Sequence, residues 1–132
     1  MASRSFGVTV DCRDPQRLAR FWLLALNYVP ATPDVTGSSG HGRTVGGDEL
    51  GPTMIVDPEG VGPRIYFQRV PEPKAVKNRW HLDVLAGEEG IHEVLDLLLA
   101  ADARMVRSSD DPDDVFIVLL DPEGNEFCLL ER

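Results

Sequence analysis

The sequence predicts an α+β fold, a single domain made of two tandem strand–helix–strand–strand modules. Three observations carry this reading. In each half, a strand-like segment is followed by a helix with one apolar face. Each half then ends on a pair of alternating, strand-like segments. The tetrapeptide Asp-Pro-Glu-Gly joins that last pair both times, at residues 57–60 and 121–124. One such turn is a common hairpin connection; the same turn at the same place in the same order predicts an internal duplication. Module one covers about residues 4–70 and module two about residues 80–132. Neither is large enough to close a core alone, so both are expected to pack as one domain over residues 1–132.

The elements follow in order. Residues 6–12 carry Val8, Thr9 and Val10, whose branched side chains favour a pleated strand. Asp14 before Pro15 is an N-cap followed by proline at the first helical position. Leu18, Phe21, Trp22, Ala25 and Leu26 then fall on one face of a helix over residues 16–28. Phe21 and Trp22 are neighbours, so one is expected on the sheet and the other at a pocket rim or a subunit contact. Residues 29–50 carry little signal, and the glycine–serine tract at 36–42 reads as a mobile loop holding a solvated His41. Strands are expected at 53–56 and 63–70, the second with Ile65 and Phe67 alternating against Arg64, Tyr66 and Gln68. In the second half the pattern predicts a strand at 80–85 and a helix at 89–100 with Ile91, Val94, Leu95, Leu98 and Leu99 inward. Strands at 104–106, 115–120 and 126–130 complete it.

Composition excludes several function classes. The net charge of −9 repels nucleic-acid backbones and anionic lipid, so neither is an expected partner. No apolar run approaches the ~20 residues of a membrane-spanning helix. Two cysteines, Cys12 and Cys128, make no disulfide framework, and the expected location is the cytoplasm. Arg64, Arg69, Lys74, Lys77 and Arg79 form a basic cluster around the connection between modules, either a solvated loop or a contact for an anionic ligand. His92 is expected at the surface, and the acidic loop at 110–114 lacks the alternating ligands of a calcium site.

Three runs resemble a known group. Residues 11–22, from Asp11-Cys12-Arg13-Asp14-Pro15 to Phe21-Trp22, look like the first strand–helix junction of glyoxalase-like proteins of the vicinal-oxygen-chelate superfamily. Residues 63–74 with 77–83, ending Trp80-His81-Leu82-Asp83, resemble the middle of the same group, and residues 121–128 resemble its closing hairpin. The resemblance implies two βαβββ modules forming curved mixed sheets around a cup-shaped pocket for a small molecule. It also implies frequent homodimers and, in the metal-dependent members, a divalent ion held by histidines and glutamates. Glyoxalases, epimerases, extradiol dioxygenases, thiol transferases acting on fosfomycin and drug-sequestering bleomycin-resistance proteins all belong to it.

Carried onto this chain, the ligand positions fall on Gly7, which has no side chain, on His81, on Cys128, and on Tyr66 or Gln68. His81 is the one strong metal candidate, so no cofactor is firmly implied, although a divalent metal is compatible. Cys128 reads either as a core residue or as a ligand for a soft ion. Period-two alternation puts His81 and Asp83 on one face of their strand, where the pair suits a catalytic general base. The other reading of His81 is a hydrogen bond within the sheet. Trp22, Tyr66, Gln68, Glu126 and Cys128 are the expected lining of the ligand pocket. Three functions fit: a small-molecule binder or enzyme without the family's usual metal set, a metal-dependent lyase or dioxygenase using His81, and a non-catalytic drug-sequestering protein.

Overall fold

A computed structural model describes residues 1–31 and 52–131. His41 and the glycine–serine tract lie outside the described residues. The chain divides into two compact units, Met1–Pro73 and Lys74–Arg132.

The first unit contains β1 (Val8–Cys12), α1 (Pro15–Leu26), β2 (Val29–Pro30), β3 (Met54–Val56) and β4 (Ile65–Arg69). Asp14 caps α1 by accepting a hydrogen bond from the Arg17 amide at 3.2 Å, and Pro15 opens the helix as its sequence requires. Asn27, with φ 54°, ends it in the left-handed conformation that asparagine tolerates. The strands form a sheet in the order β1-β4-β3-β2. β1 runs parallel to β4, and the other pairs are antiparallel. Ile65 and Phe67 are buried while Tyr66 and Gln68 are partly exposed, as the alternation predicts.

The second unit contains β5 (Asp83–Leu85), a short 3-10 turn (Gly87–Glu89), α2 (Ile91–Ala100), β6 (Arg104–Ser108), β7 (Phe116–Leu120) and β8 (Glu126–Leu130). Its sheet order is β5-β8-β7-β6, again with the outer first strand parallel to the last and the rest antiparallel. Each unit is therefore a βαβββ module with the same unclosed four-stranded mixed sheet. The α+β, two-module reading holds.

The repeated tetrapeptide does the same work twice. Gly60 and Gly124 take φ of 72° and 86°, and each donates its amide to the carbonyl of the aspartate that opens the turn. The aspartate side chains add what the sequence reading did not anticipate. Asp57 accepts from the amides of Glu59 (2.9 Å), Val61 (3.1 Å) and Gly62 (2.7 Å). Asp121, only 1% exposed, accepts from the amides of Glu123 (2.9 Å) and Asn125 (3.0 Å) and from the Asn125 side chain. Each carboxylate ties a turn shut from inside.

Two expectations need correction. The second helix does not begin at 89: Gly90, with φ 85° and ψ 152°, breaks the chain between the 3-10 turn and α2. The strand expected from residue 80 begins only at Asp83. Asp83, opposite Cys128, is the first paired residue, and just before it the Leu82 carbonyl accepts from the Cys128 amide. β2, two residues long, was invisible to periodicity and exists through its pairing with β3.

Candidate functional site

In the second unit, alternate residues go to opposite faces of the sheet. Val84, Ile117, Leu119, Phe127 and Leu129 are buried, and α2 packs against β8. Each such leucine or phenylalanine contributes about 1.5–3 kcal/mol by leaving water. The other face carries the chemistry. The register aligns Asp83 with Cys128, Cys128 with Val118, and Val118 with Arg107, a single row across all four strands.

His81 lies two residues before Asp83, in the segment leading into β5. Its Nδ1 stands 3.6 Å from Asp83 Oδ1, an ion-pair distance longer than a hydrogen bond. Both side chains are solvent-accessible, at 43% and 57%. Cys128 completes the group: one ligand atom from each of His81, Asp83 and Cys128 lies within 4.8 Å of the others. Burial raises the Cys128 pKa, and the Asp83 carboxylate raises it further against the opposing pull of Arg107 and Lys77. The sulfur is thus a thiol at neutral pH until something displaces its proton.

Sequence reasoning missed Arg107. Its guanidinium carbon sits 5.2 Å from the centre of the Phe116 ring, a cation–π contact. The miss has a physical cause. A bulge between Met105 and Arg107 shifts the register, so Arg104 and Arg107 pair with Leu120 and Val118, two residues on one face. Simple alternation puts the two arginines on opposite faces.

Glu126 is committed to holding the chain that leads to His81. One carboxylate oxygen accepts from the Asn78 amide at 2.9 Å, and the other meets Lys74 Nζ at 3.3 Å. Burial pushes its pKa upward, but the Asn78 amide, its own backbone amide and the Lys74 ammonium outweigh that and hold the carboxyl below the usual glutamate range.

The remaining expected lining residues belong to the first unit. Tyr66 packs beside Ala31, Met54 and Val56. Gln68 donates to Asp11 Oδ1 at 3.2 Å. Trp22 is buried, edge-on to the Phe21 ring at 5.3 Å and 89°, so both aromatic neighbours are inside rather than one of them at a rim. Gly7, the position without a side chain, lies under Arg64: a Cβ there would meet the arginine's Cγ at 3.2 Å and its Cζ and Nε at 3.3 Å.

The topology has known counterparts. A family model described as a glyoxalase-like domain matches residues 7–130. The chain belongs to the glyoxalase-like domain family. Fosfomycin resistance protein FosX from Mesorhizobium loti has a similar structure, with TM-score 0.67 and 11% identity over 100% of this chain and 94% of that one. A FosX variant from Listeria monocytogenes, solved with Mn(II) and 1S,2S-dihydroxypropylphosphonic acid, gives TM-score 0.67 and 12% identity over 99% and 93%. A glyoxalase/bleomycin resistance protein/dioxygenase family enzyme from Burkholderia phytofirmans PsJN gives 0.59 and 17% over 92% and 93%. At these identities the likeness is one of fold. No curated protein matches by sequence.

This glyoxalase-like chain offers a donor set of one imidazole, one carboxylate and one thiol. A tetrahedral ion bound at roughly 2.0–2.3 Å keeps its ligand atoms about 3.3–3.8 Å apart. The His81–Asp83 separation of 3.6 Å already fits, and the three ligand atoms all lie within 4.8 Å of one another. The residues therefore fit a divalent ion with a borderline or soft preference better than a hard, oxygen-seeking one. No helix among the described residues is long and apolar enough to cross a membrane.

Proposed function

We propose that this glyoxalase-like protein binds a small organic molecule on the face of its second sheet that carries His81, Asp83 and Cys128, without the family's usual complete metal set. The single observation behind this reading is the convergence of those three side chains within 4.8 Å on an accessible face. Val118, Phe116 and Leu130, all partly exposed, provide an apolar floor beside them. Arg107 at the end of the row supplies a fixed cation, so a ligand with an apolar body and an anionic group is the best match. In the metal-free form of this reading, His81 serves as general base beside Asp83, with Cys128 lining the floor. Glu126 serves by holding the segment before His81.

The test is a binding screen of small aromatic and aliphatic carboxylates and phosphonates by calorimetry, on the unaltered protein and on His81→Ala and Arg107→Ala. Loss of an ionic contact to the ligand costs about tenfold or more in affinity. Hits whose affinity moves by less than about twofold in both variants would remove the site from consideration.

A further inference from the structure

We infer that the ligand of this sheet face carries two anionic groups at opposite ends of an elongated apolar body, one held by Arg107 and the other by Lys77. The inference rests on the reading that this face is the small-molecule site, and it adds the class of molecule bound there.

β8 supplies the frame. Glu126, Cys128 and Leu130 alternate onto the open face, opposite Leu120, Val118 and Phe116 of β7. All are partly exposed, whereas Phe127 and Leu129 between them are buried on the other side. At about 3.4 Å per residue, the stretch from Glu126 to Leu130 spans about 14 Å. A cation stands at each end. The Arg107 guanidinium lies over the Phe116 ring, at the Leu130 end, where the contact orients its paired N–H groups for a carboxylate. Lys77 belongs to the Glu126 end. Its Nζ lies 3.4 Å from the Asn78 carbonyl, and the Asn78 amide donates to Glu126 Oε2 at 2.9 Å. Lys74 is at the same end, but Glu126 Oε1 balances its charge at 3.3 Å.

The middle of the face decides the shape of the ligand. Both Lys77 and Arg107 pull the Cys128 pKa down against burial and Asp83, so the fields of both cations reach the centre. Asp83, the direct partner of Cys128, flanks that centre with a carboxylate and repels an anion placed there. Negative charge is therefore favoured at the two ends and disfavoured between them, where Val118, the Cys128 thiol and Leu130 offer an apolar bed. A short dianion cannot reach both cations, and a monoanion leaves one of them unused. The acidic turn at 110–114 is exposed, so water and salt screen its carboxylates.

The experiment is calorimetric titration of the full chain with suberate, its monomethyl ester and succinate. It is run on the unaltered protein and on Lys77→Gln, Arg107→Gln and Arg104→Gln, which all alter exposed residues. Suberate should bind about fivefold or more tighter than its monomethyl ester, beyond the factor of about two that its equivalent ends give by statistics. Succinate, too short to bridge the cations, should bind no tighter than the ester. In Lys77→Gln the suberate advantage should fall to the statistical factor while the ester's affinity stays. In Arg107→Gln both should weaken by about fivefold or more. Arg104, opposite Leu120 on the edge strand, is the control, and its variant should change neither. No suberate binding at millimolar concentration overturns the inference. So does an advantage that is absent, survives Lys77→Gln or disappears in Arg104→Gln. The two levels fail separately. If the ester weakens in Arg107→Gln while suberate has no advantage, the small-molecule site stands and the second anionic group fails.

Discussion

Asp121 shows how much one side chain can hold. It is buried, and its carboxylate accepts two backbone amides and the Asn125 side chain. Asp121→Ala strands those donors away from water and should cost about 2–4 kcal/mol, read by urea denaturation. Asp57→Ala, on the more exposed first turn, should cost clearly less. Equal losses would show that the two turns are not distinguished by burial. Glu126 makes a pH prediction. Its folded pKa is depressed, so the stability it adds is present above the ordinary glutamate range and is lost as pH falls through the lower folded value. Residues 74–78 should therefore lose protection against amide exchange, relative to their intrinsic rates at the same pH, as the solution is acidified, and Glu126→Gln should show much of that loosening already at neutral pH. Exchange unchanged in the variant would mean that Glu126 does not pin the segment. His81, Asp83 and Cys128 were each legible in the sequence, because alternation and the turn at 121–124 fix their parity. Arg107 was not legible, because a bulge defeats alternation and leaves no mark in composition.

The elements were legible where periodicity is long or a cap is present. α1 announces itself through Asp14, Pro15 and its apolar stripe, and β8 through the turn before it. Short or broken elements were not. β2 has two residues, too few for any pattern, and β5 ends where its partner ends. Gly90 divided a helix that the apolar spacing reads as continuous. At its φ of 85° and ψ of 152° a side chain is strained, so Gly90→Ala should destabilise the chain by about 1–3 kcal/mol. An alanine variant as stable as the original would show that the segment can relax into one longer helix.

For the whole molecule, the duplicated Asp-Pro-Glu-Gly turn was the most informative sequence feature, because the two units repeat one sheet order. Which ligand is bound was not legible, since fold constrains reaction far less than site chemistry does. We propose a homodimer in solution, as the family resemblance implies; sedimentation equilibrium should give twice the chain mass, and monomer alone at micromolar concentration would count against it. The central claim is that the sheet face of the second unit holding His81, Asp83 and Cys128 is where a small molecule binds. The most direct test is amide chemical-shift mapping with the best ligand from the anionic screen. The account predicts perturbations clustered at residues 81–83, 107, 116–118 and 128, and their loss in His81→Ala. Perturbations confined to residues away from that row, unchanged by the variant, would contradict it.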